Sequence, residues 1–209
     1  MRTLLVIGLL LASRATASGQ VLASSADTLP RRLKVEGNTV PLSMGHLCRV
    51  GVAADFVFIG GQRFELQETA DAEQLFFVSA ERDRTIRELL WLQVEEILPG
   101  LKGGYTYAQD SNRVVNTLAL KLDIRTNRGT PPAGSDGAAM RSYVTSRGYV
   151  FPPLAPRLRM VHLPEPGGRR EFMAIYLSAL RVALPDTSLE MTLKRALDKL
   201  RLEPCRQGQ

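Results

Sequence analysis

The 209-residue chain is short of the side chains that most often carry chemistry: two cysteines, two histidines and one tryptophan. Aromatic residues make up only 6 %, so a core has to be filled mainly by Leu, Val and Ala. Lysine is scarce as well, with 5 Lys against 22 Arg among the 27 basic residues. Past the first dozen residues no apolar run approaches the ~18–20 residues of a membrane-spanning helix. The chain has no glycine-rich phosphate loop, no H-E-x-x-H, no G-x-S-x-G, no S-x-x-K, no calcium-loop pattern and no N-x-S/T sequon. Each missing motif removes a mechanism: phosphate cradling, zinc peptidase chemistry, a serine nucleophile on a strand-to-helix turn. No residue set is nominated as catalytic or metal-binding, and no cofactor is expected.

What is present begins at the N-terminus. A charged start at Arg2 precedes the nine-residue apolar run Leu4–Ala12, and small residues Ala15 and Ala17 follow at the positions a signal peptidase reads. This is the tripartite form of a secretory signal. Residues 1–17 are therefore read as a cleavable signal peptide, residues 18–32 as a flexible lead-in and residues 33–205 as one globular domain. The expected localisation is secreted or periplasmic, and the mature chain is expected to be soluble. Cleavage removes Arg2 and Arg14 and no acid, which leaves a net charge of +4. The arginines are scattered, whereas a nucleic-acid surface needs them clustered. No nucleic-acid partner and no membrane span are expected, and the pairs Arg31-Arg32 and Arg169-Arg170 read as solvated charges in loops.

From Leu33 onward short alternating runs separated by glycine, proline and charged clusters indicate strands. Asp55–Ile59 and Arg63–Gln67 flank Gly60-Gly61, which suits a tight hairpin because glycine accepts positive φ. Gln74–Ala80 is a further strand, followed by the polar turn Glu81–Arg84. Thr85–Leu98 is ambiguous. A helix would stripe Ile86, Leu89, Leu90, Val94, Ile97 and Leu98 on one face, while a strand alternates Ile86, Leu90, Leu92 and Val94 against Arg87, Gln93 and Glu95. Strand candidates on both sides favour the strand. Tyr105–Gln109 and the long alternating run Val114–Arg125 continue the pattern. Ser135 reads as the N-cap of a helix over residues 135–147, with Met140, Tyr143 and Val144 inward and Gly148 as its left-handed stop. Leu158–Leu163 and Phe172–Leu177 are two more strands. Thr187 and Glu190 suggest a capping box for a final helix over residues 187–201, striped by Leu189, Leu193, Ala196, Leu197 and Leu200. Strands followed by strands and two helices give an α+β fold: a mainly antiparallel meander of about six to eight strands.

Two His and two Cys allow one Cys₂His₂ site at most, and only His46 and Cys48 are close in sequence; structural zinc motifs place their ligands in close pairs. A catalytic Cys48 would need a depressed thiol pKa and a base. In an exported chain an even count of two points instead to a disulfide, Cys48–Cys205. His162, at a strand end, reads first as a hydrogen-bonded structural histidine. Trp91, Tyr105, Tyr107 and His162 are the candidate ligand contacts, since aromatic rings with polar tips suit a groove on a curved sheet. Glu95 and Glu96 are adjacent, so on a strand they face opposite ways and cannot act as a pair. The expected function is that of a secreted or periplasmic binding or accessory module using a sheet face or cavity, its partner a small ligand or an envelope or extracellular protein. Two alternatives stand beside it: an exported hydrolase with a non-standard site at His162, and an envelope-interaction or structural protein.

Overall fold

The computed structural model describes residues 31–107, 112–127, 130–153, 155–179 and 189–205. The expected signal peptide, the expected lead-in up to residue 30 and the expected Thr187 cap lie outside the described residues. The fold is α+β and almost wholly antiparallel. Strands β1 (Thr39–Met44), β2 (Leu47–Val52) and β10 (Leu200–Pro204) make a small sheet in the order β1-β2-β10. The main sheet has seven strands: β3 (Val57–Leu66), β4 (Ala70–Ala80), β5 (Ile86–Ile97), β6 (Asn112–Val115), β7 (Leu118–Asn127), β8 (Ala155–His162) and β9 (Arg170–Ser178), in the order β3-β4-β5-β9-β8-β7-β6. Two helices, α1 (Asp136–Ser146) and α2 (Leu189–Lys199), complete it.

The ambiguous stretch is the central strand β5, paired with β4 on one side and β9 on the other. A helix would have left Trp91 and Leu92 off its apolar stripe; the sheet buries both. Leu90 and Leu92 face the small sheet and α2, in a core with Leu75, Phe77, Ala174, Tyr176, Leu158, Leu120, Val50 and Leu193. Leu89 and Trp91 face α1, in a second core with Phe76, Val78, Ile175, Met140, Tyr143 and Val144. Being covered on both faces is why β4, β5 and β9 read as nearly continuous apolar runs. Helix α1 has the expected caps: Ser135 Oγ accepts from Ala138 N–H at 3.2 Å, and Gly148 sits at φ +82°. Helix α2 buries Leu193 and Ala196 as its stripe requires.

Four local expectations are corrected. Gly60-Gly61 is no hairpin; it is a bulge inside β3, where the register with β4 shifts between Phe58 and Gly60. Gly60 has φ +114°, and a Cβ there would lie 2.1 Å from Tyr143 Oη, so the missing side chain lets α1 come down on the sheet. The turn falls later, at Gln67-Glu68-Thr69, with φ 50° and 56° at the first two. The run Val114–Arg125 is split by a two-residue turn at Asn116-Thr117, both at positive φ (49° and 69°). A β-branched threonine there is unusual, which is why the alternation hid the turn. Tyr105–Tyr107 is not a strand; its described part runs as irregular chain held by Tyr105 N–H to Gly168 O at 3.0 Å. Finally, Leu200 ends the helical stripe by starting β10, a strand the helix pattern concealed.

Cys48 and Cys205 form the disulfide, 157 residues apart in sequence, at the end of the β2–β10 ladder. The bond points to an oxidising compartment. No helix among the described residues is long and apolar enough to cross a membrane. Both arginine pairs are exposed, as expected, but Arg32, Arg169 and Arg170 also make contacts within the fold. Arg32 bridges Asp71 and Glu96, each at 3.2 Å, and the N–H groups of Arg32 and Leu33 both donate to the buried Glu73 carboxylate. Arg169 donates to the carbonyls of Ile97, Leu98 and Leu101, and Arg170 to that of Ser43.

Candidate functional site

Pairing of β5 with β9 sets Glu95 directly opposite Glu171. Like charges facing each other across a ladder are destabilising, and both side chains are buried, at 5 % and 2 % exposure. The surroundings resolve the conflict. A chain of amides crosses the sheet on this face: Gln62 donates to Gln74 at 2.7 Å, Gln74 to Gln93 at 2.7 Å, and Gln93 to Glu95. Gln74 also donates to Asp136 O at the start of α1, 3.2 Å away. The carboxyls then take one phenol each: Tyr105 Oη donates to Glu95 at 3.2 Å and Tyr107 Oη to Glu171 at 2.7 Å. Burial, then the Asp136 charge, pushes Glu95 above the ordinary carboxyl range. Glu171 is pushed up to about 7, by burial first and then by Glu95 across the ladder. The pair therefore retains a proton at pH values where a free glutamate has lost it. Burial and the two carboxylates push both tyrosines well above the usual phenol value, so they remain donors.

The Tyr105–Tyr107 segment separates two concavities. On one side a polar cleft of about 280 Å³ is lined by Glu95, Glu171, Ser135, Asp136, Arg159 and the tyrosines. On the other a larger, mostly apolar groove of about 690 Å³ runs along β6–β8. Its walls include Val114, Ala119, Val161 and Leu163, with Arg113 and Lys121 as the charged residues of its lining. The volume lies in the range of small-molecule sites. Gly104 makes this possible: a Cβ would lie 1.8 Å from Gly167 O, so only glycine lets the tyrosine segment approach the β8–β9 loop so closely.

The structure brings together Tyr105 and Tyr107 of the four candidate contacts. Trp91 is 1 % exposed in the core beneath α1 and is no part of the groove wall. His162 is 5 % exposed and lies between two carbonyls, Nδ1 3.3 Å from Ala119 O and Nε2 3.1 Å from Met44 O, where it ties the main sheet to β1. Neither ring nitrogen meets a carboxylate or a hydroxyl among the described residues. Sequence reading missed Glu171, whose partnership with Glu95 depends on long-range register that no local pattern encodes. It also missed the arginines beside the groove. On the face shared with the groove, Arg125, Arg157 and Arg159 surround one carboxylate, Asp123, at 3.0, 3.9 and 3.6 Å. Among the described residues no group of three or more His, Cys, Asp or Glu could hold a metal ion.

Comparison with protein-family models, with curated proteins and with solved structures found no match.

Proposed function

We propose that the protein is exported by way of the signal peptide at residues 1–17 and works as a binding or accessory module, its ligand site the groove beside Tyr105 and Tyr107. One observation carries this reading: an apolar concavity of about 690 Å³ with tyrosine in its wall, on the main sheet of the fold. The disulfide supports export, since such bonds persist in oxidising compartments. The hydrolytic alternative has less support, because its chosen histidine is occupied by backbone carbonyls. An envelope-interaction role through surface arginines has less support, because Arg32, Arg169 and Arg170 are engaged within the fold.

The test is uptake of the neutral apolar dye Nile red by the oxidised protein. Saturable binding with a rise in fluorescence is expected. Ala119→Trp, which fills the groove from an exposed strand position, should abolish it while leaving the circular dichroism spectrum unchanged. Absence of saturable uptake, or uptake indifferent to Ala119→Trp, refutes the site.

A further inference from the structure

The groove does not end in apolar surface. Along β7 the face shared with the groove carries Ala119, Lys121, Asp123 and Arg125. Opposite them on β8 stand Val161, Arg159 and Arg157, paired with Lys121, Asp123 and Arg125 in register. The face thus changes character along the strands, from Val161, Ala119 and Val114 at one end to three guanidiniums at the other. Successive residues on one face are ~7 Å apart along a strand, so the step from apolar to cationic falls within the length of one small amphiphile. Asp123 is the one acid among these five charged side chains. Lys121 has no ionic partner among the described residues. Arg157 Nε and Arg159 Nε are buried and meet no acceptor among them either. Burial first, and then the neighbouring Arg159, draw the Arg157 pKa below the usual arginine value, against the opposing pull of Asp123 and Asp136. The next acids line the neighbouring cleft: Asp136 at the start of α1, and Glu95 and Glu171, which accept from the tyrosine hydroxyls and are held short of full charge by burial. Arg159 also stacks on Tyr107, its Cζ 5.5 Å from the ring centroid, which joins the guanidinium cluster to the groove wall.

Resting on the groove as the binding site, we infer that its ligand is a monomeric amphiphile with an apolar chain and an anionic head: the chain lies against Val161, Ala119 and Tyr107, and the head sits on Lys121 and the guanidiniums around Asp123. Carboxylate and phosphate heads share the chemistry that arginine recognises, because its fork matches both. No bond is made or broken; the function is capture.

Competition against bound Nile red tests the head separately from the groove. The probes are dodecanoate, dodecyl phosphate, dodecanol and dodecyltrimethylammonium, each below its micelle concentration. Both anions should displace the dye at least about tenfold more tightly than dodecanol, and the cation should displace it least. The preference for anions should shrink as salt rises. Lys121→Glu and Arg125→Glu should each erase most of the preference, and Arg125→Glu, outside the groove wall, should leave dodecanol unchanged. Arg201→Glu, an exposed position on the small sheet with the same change in net charge, should keep it. If Nile red binds but anion and alcohol compete equally, the anionic head is refuted and the groove stands. If Nile red does not bind, the groove itself is refuted. Tighter binding of dodecyl phosphate than of dodecanoate, or the reverse, assigns the head within the anionic class. Association with anionic vesicles without binding of monomeric dodecanoate overturns the inference in favour of a membrane surface.

Discussion

The double variant Cys48→Ser/Cys205→Ser isolates the one covalent cross-link of the fold. The disulfide closes a loop of 157 residues that contains the whole seven-stranded sheet. In the chain-entropy model a loop of that length restricts the unfolded chain by about 5 kcal/mol at 25 °C, and measured values run lower. The native contacts around the bond are retained in the variant. Strand β10 pairs with β2 from Leu200 opposite Val52 to Pro204 opposite Leu47, and Cys205 N–H donates to His46 O at 2.8 Å. The loss should therefore act through the unfolded state: about 2–5 kcal/mol, or a fall in Tm of about 5–20 °C for a chain of this size. Thermal and urea unfolding followed by circular dichroism, with and without reductant, measure it. Reductant should destabilise the wild type by the same amount and leave the variant unmoved. A loss below about 1 kcal/mol would refute the reasoning, since it would mean that the unfolded chain is already confined without the bond.

The remaining predictions concern the site and its support. Because Glu95 and Glu171 have raised pKa values in the folded protein, the fold holds protons that the unfolded chain releases near pH 4.5; their contribution is complete below that point and declines as pH rises to about 7. Urea unfolding across about pH 5 to 8 should show the decline, and Glu171→Gln should flatten it; parallel curves for the two proteins would contradict the buried pair. The opposite sign belongs to Asp71, held below its ordinary value by Arg63, whose contribution is lost only at more acid pH. Gly104→Ala should push the tyrosine segment away from Gly167 and weaken Nile red uptake far more than it lowers Tm; an unchanged affinity would separate the segment from the groove. Trp91→Phe should cost no more than about 1 kcal/mol by urea unfolding, because the buried indole N–H has no acceptor among the described residues and its removal relieves about 1–3 kcal/mol of desolvation. A loss of several kcal/mol would mean that the indole N–H is satisfied in solution.

Where one short stretch of chain decided the outcome, the sequence was informative. The Ser135 cap, the Met140–Tyr143–Val144 stripe and Gly148 describe α1 completely, because capping and amphipathicity are local. The strands were legible through alternation, and β5 through its neighbours. The misplaced turns share a cause: Asn116-Thr117 and Gln67-Glu68 take positive φ without glycine, while Gly60-Gly61 serves the approach of α1 and no turn. At the site, Tyr105 and Tyr107 could be nominated as aromatic residues with polar tips. Their partners could not, since Glu171 and Arg159 reach them only through the β5–β9–β8 register. His162 shows the limit from the other side: a rare residue drew notice, and burial between two carbonyls gave it a bracing role.

The small sheet also sets a timetable. Its middle strand β2 has β1 beside it almost at once, yet its other neighbour, β10, lies about 150 residues further along and is synthesised only after all seven strands of the main sheet. Until then one edge of β2 presents unpaired amides and carbonyls, and the thiol of Cys48 has no partner within the chain. Pairings of such long range close slowly. The apolar face that β1 and β2 turn toward the main sheet can be covered early, while the seam between β2 and β10 is joined last. The disulfide then fixes an arrangement already reached, so oxidation records completed folding and does not guide it. Anything that delays the arrival of β10 prolongs the life of an open strand edge, which is where this chain is most exposed to association with its own copies.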